Sequence, residues 1–70
     1  MGITLAKIAI APVARQFGID PDQIQFTQVN ENELIMTGRA RRYKDTDELR
    51  QTVQEAVGKQ IKVLNKIEIR

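Results

Sequence analysis

Four cations fall within six residues, Arg39, Arg41, Arg42 and Lys44, in the stretch TGRARRYKDTDELRQTVQEAVG. Guanidinium and ammonium groups so clustered could hold phosphate, and such binding would weaken steeply with salt. The same run could meet anionic lipid head groups at a membrane surface. Two groups of carboxylates raise a different possibility. Asp20 and Asp22 flank Pro21, and Asp45, Asp47 and Glu48 precede an apolar run. The first group has no third ligand at a useful spacing for a metal and reads as turn chemistry around proline. The second reads as the acidic start of a helix, where side-chain oxygens cap free amides.

Other chemistry lacks its residues. There is no histidine, cysteine or serine among the 70 residues. That removes the usual general base, the thiolate and the hydroxyl nucleophile together. Gly2, Gly18, Gly38 and Gly58 are too scattered to form a phosphate loop. No enzyme activity, cofactor, metal or small-molecule substrate is expected. A net charge of +2 is too weak to specify nucleic acid by itself. The length expects one domain over residues 1–70, with a modest core and no disulfide to staple it. Lys7 interrupts the early apolar run, which argues against a secretory signal. No stretch has the length of a membrane-spanning helix. A cytoplasmic setting is expected.

The residues that could make contacts must be positioned by a few short elements. Ile3, Ala6, Ile10, Val13 and Phe17 recur at helical spacing, with Pro12 off that stripe and Gly18 as a stop. A helix kinked at Pro12 is the favoured reading. The competing reading makes ITLAKIAI a strand and starts a short helix at Pro12. Ile24 to Val29 and Glu33 to Tyr43 read as a hairpin joined by Asn30 to Asn32. Gly38 within the second strand marks a bulge or a close backbone approach. Asp45 with Glu48 forms a capping-box pattern for a helix whose buried stripe is Leu49, Val53, Ala56 and Val57. Gly58 ends it. Ile61 to Ile69 alternates as a strand, with Ile61, Val63, Ile67 and Ile69 on one side and Asn65 among them.

The expected fold is therefore α+β, in the order α-β-β-α-β. Two helices pack on one face of a three-stranded sheet. Whether the last strand pairs in parallel with the second or antiparallel with the first stays open. The uncovered face would carry Arg39, Arg41, Lys62 and Lys66, with Arg42 and Lys44 at the strand end. Tyr43 would be its sole aromatic, a poor platform for stacking bases. Val29, Ile35 and Leu64 are outward apolar residues on three different strands. Clustered within a basic rim, they would make a protein contact patch. A bare sheet face on so small a domain also gains stability when covered. Protein contact or self-association is the favoured expectation, and nucleic acid or anionic lipid the alternative.

The second half of the chain, LIMTGRARRYKDTDELRQTVQEAVGKQIKVLNKIEIR, resembles a BON domain. The resemblance rests on Gly38 in a strand, the helix from Thr46 to Val57, Gly58, and then Val63, Asn65, Ile67 and Ile69. The same element order is similar to that of ring-building domains of bacterial secretion machines. Both resemblances imply a non-catalytic module that binds membranes or proteins, or assembles with copies of itself.

Overall fold

The structure is a computed structural model, and it describes residues 2–69. Helix α1 spans Gly2–Gln16, followed by a 3-10 turn at Pro21–Gln23. Strands β1, Gln25–Asn30, and β2, Glu33–Ala40, form a hairpin, then come helix α2, Tyr43–Val57, and strand β3, Lys62–Ile69. The α+β expectation holds, and the single helix replaces the strand alternative for ITLAKIAI.

Alanine decides how α1 docks. Ala6, Ile10 and Ala14 are fully buried at spacings of four, with Ile3 and Val13 packed beside them. Small residues let the helix lie close to α2, its main neighbour. Pro12 is exposed, so its ring meets no packed element. Gly18 closes the helix at φ 72°, where Ile19 N–H donates to Ala14 O at 2.9 Å and Gly18 N–H to Arg15 O at 3.1 Å. That is the Schellman arrangement, which needs a left-handed residue. Asp20 then accepts from Asp22 N–H at 3.0 Å, the turn chemistry read from the sequence.

The sheet order is β1-β2-β3, with β2 central. β1 and β2 are antiparallel, and β2 and β3 are parallel, with α2 as the crossover between them. The open choice of partner for β3 is thereby settled. Leu34, Met36 and Ala40 of β2 join Val63 and Ile67 of β3 in the core, under Leu49 and Val53 of α2. Asn65 stands among the inward residues of β3. Its amide donates to Thr46 Oγ1 of α2 at 2.9 Å, and its Oδ1 accepts from Ile67 N–H at 3.1 Å. A polar side chain under a helix is tolerated when its groups are paired in this way.

The passage from β2 into α2 differs from the sequence expectation. β2 ends at Ala40 rather than at Tyr43, and the chain turns into α2 at Arg41 and Arg42. Tyr43 and Lys44 consequently belong to α2. Asp45 does not cap that helix. Arg42 holds the N-cap position without a side-chain cap bond, and Asp45 lies buried in the first turn. The helical period explains this shift. Thr46, Leu49 and Val53 are all buried, so the docked stripe reaches one turn further back than Leu49. Ala56 and Val57, expected on the stripe, are half-buried.

Candidate functional site

The face of the sheet away from the helices is built by the strand register. In β2 and β3 core residues alternate with outward ones, and in β1 Phe26 is the residue turned toward the core. The pairing then sets the outward residues in rows across the strands. Glu33 of β2 stands beside Lys62 of β3, at the hairpin end. The next row is Thr27, Ile35 and Leu64, one residue from each strand. Gln25, Thr37 and Lys66 follow. Arg39 and Glu68 make the last row.

Ile35 and Leu64 are thus direct neighbours, as the contact-patch expectation required. Both are half-buried by the strands around them. Val29 falls at the register irregularity between Gln28 and Asn30, next to the tight turn, and is exposed. Within that turn Asn30 Oδ1 accepts from Asn32 N–H at 2.8 Å and its amide donates to Glu33 Oε1 at 3.1 Å. These bonds pin the hairpin, and with it the position of Glu33.

The basic run does not stay on one sheet face. Arg39, Lys62 and Lys66 lie on the open face, with Glu33 and Glu68 among them. Arg41 and Arg42 occupy the turn into α2 rather than a strand, so Arg41 is not a sheet-face residue. Lys44 is exposed in the first turn of α2. Tyr43 also leaves the expected face, opening α2 with 70% of its surface exposed. An aromatic on the strand would have needed β2 to run three residues further.

Arg39, Arg41 and Arg42 do border one cleft of about 360 Å³, together with Phe17, Ile19 and Gln23. Two carboxylates share it, Asp20 and Asp45. Arg42 Nε lies 3.7 Å from Asp45 Oδ2, so one guanidinium already has an anionic neighbour. Among the described residues the other ion pair is Arg50–Asp47 on α2. Neither involves the open face. Among the described residues no group of three or more acidic side chains could hold a metal ion, and no helix is long and apolar enough to cross a membrane.

One surface was missed from the sequence. Leu5 and Ile8 on the outer side of α1 are 52% and 68% exposed. The segment is so apolar that one stripe at helical spacing accounted for the helix and concealed a second. Compared with protein families, characterised proteins and solved structures, the chain matches none.

Proposed function

We propose that this domain is a non-catalytic contact module that binds protein through its open sheet face, most simply by self-association. The observation that carries the reading is the continuous row Thr27–Ile35–Leu64, crossing all three strands on the side opposite the helices. Apolar area brought together there is released from water when a second surface covers it, at about 25 cal/mol per Å². Arg39 and Lys66 can lay their alkyl stems along the rim while the charged ends stay wet. The resemblance to BON and ring-building domains supports the same class of role. Phosphate binding draws less support, because carboxylates stand in each cationic cluster: Asp20 and Asp45 in the cleft that Arg39, Arg41 and Arg42 border, and Glu33 and Glu68 on the open face.

The test is sedimentation over a concentration series, with the fold checked by circular dichroism. Association with itself, or with a protein retained from lysate, should be abolished by Ile35→Lys with Leu64→Lys. Binding that survives this pair of substitutions in a folded protein would overturn the reading.

A further inference from the structure

The charges of the open face point to its occupant. Resting on the contact role proposed for that face, we infer that the occupant is a second copy of this chain, stacked face to face with its strands antiparallel to the first. At the hairpin end the central strand carries Glu33 and the edge strand Lys62. At the opposite end the central strand carries Arg39 and the edge strand Glu68. The order of signs across the two strands is therefore reversed between the ends.

A two-fold axis lying in the interface and crossing the strands exchanges those ends and keeps β2 over β2. Glu33 then faces the partner's Arg39, and Lys62 faces the partner's Glu68. The middle rows exchange as well, so that Ile35 covers Thr37 and Leu64 covers the stem of Lys66. An isologous contact of this kind closes as a dimer. A two-fold axis running along the strands gives the opposite result. It sets Glu33 over Glu33 and Arg39 over Arg39, and like charges brought together are costly. An anionic surface as occupant would meet Glu33 and Glu68. Among the described residues Lys66 is the one cation of the face left unanswered in the antiparallel stack, and it lies on an edge strand where its amine can reach water.

Sedimentation equilibrium at low salt compares the wild type with Glu33→Arg, with Arg39→Glu and with the two combined. Each single reversal should weaken the dimer by about tenfold or more, and the combined exchange should restore it, because the pairs then face each other with signs reversed. Thermal melts confirm that each variant folds, and Lys62→Glu with Glu68→Lys provides an independent exchange on the edge strand. A dimer that the Ile35 and Leu64 lysines break, yet that ignores every charge reversal, would overturn the antiparallel stack and leave the open face as the contact. A dimer broken instead by Leu5→Lys with Ile8→Lys would place the contact on α1 and overturn both. A wild type still monomeric at ~1 mM, beyond which self-association is too weak to be specific, would overturn the second copy as occupant.

Discussion

Gly38 stands where no side chain fits. Its φ is 149°, and a Cβ there would lie 2.8 Å from Gln23 O and 3.0 Å from Ile24 Cδ1. The central strand therefore passes directly beneath the 3-10 turn, which is the close approach that a glycine inside a strand suggests. Gly38→Ala should lower stability by ~1–3 kcal/mol, read as a reduced urea midpoint. The Asn65–Thr46 hydrogen bond makes a second residue-scale prediction. Thr46→Val keeps the shape of a fully buried side chain and removes the acceptor of the Asn65 amide. The expected cost is ~1–3 kcal/mol, and Asn65→Leu added to it should cost less than the sum of the two single changes. Strict additivity would show that the pair is not coupled across the helix–sheet contact.

At the scale of elements, the joint between α2 and β3 depends on one side chain. Gln54 donates to Gly58 O at 2.8 Å and to Ile61 O at 2.6 Å, and it accepts from Val63 N–H at 3.2 Å. It ties the helix end to the start of the strand across the Gly58 cap. Gln54→Ala should loosen this crossover, with a loss of ~1–3 kcal/mol and faster hydrogen exchange at the Val63 amide. Helix α1 is held differently, by packing, with no side-chain hydrogen bond to the rest of the fold among the described residues. Ile10→Ala empties a fully buried site between α1 and the rest of the core and should cost ~2–5 kcal/mol. An unchanged midpoint in Ile10→Ala would mean that α1 contributes little to the cooperative unit.

The whole molecule is a small two-layer domain whose sheet has one face uncovered. Helices cover one side of the sheet, and the other carries charges whose signs reverse from end to end. Among the described residues, Lys66 is the cation that the antiparallel stack leaves without an answer. Lys66→Gln should therefore strengthen self-association, the opposite of what phosphate binding through the same face would require. Added salt separates the two again. It should weaken the dimer only modestly, because buried apolar area remains, whereas a phosphate contact would fade steeply.

The amino-acid pattern alone determined the elements and their amphipathic faces. Alternation in Val63 to Ile69, the Leu49–Val53 spacing and the glycines at Gly18 and Gly58 are local signals, written by backbone periodicity and steric demand. That is why the element order and the outward positions of Ile35, Leu64, Arg39, Lys62 and Lys66 were legible. Boundaries at the Arg41–Arg42 turn were not, because the end of β2 at Ala40 and the start of α2 at Tyr43 go with how the helix docks on the sheet, with Thr46 seated against Asn65. Neither limit is local to the segment that obeys it. Strand pairing was likewise a tertiary decision. Only the parallel register of β2 with β3 sets Glu33 beside Lys62 and Arg39 beside Glu68. Residues far apart in sequence acquire a shared electrostatic pattern through that register, since hydrogen bonding between strands fixes which side chains become neighbours.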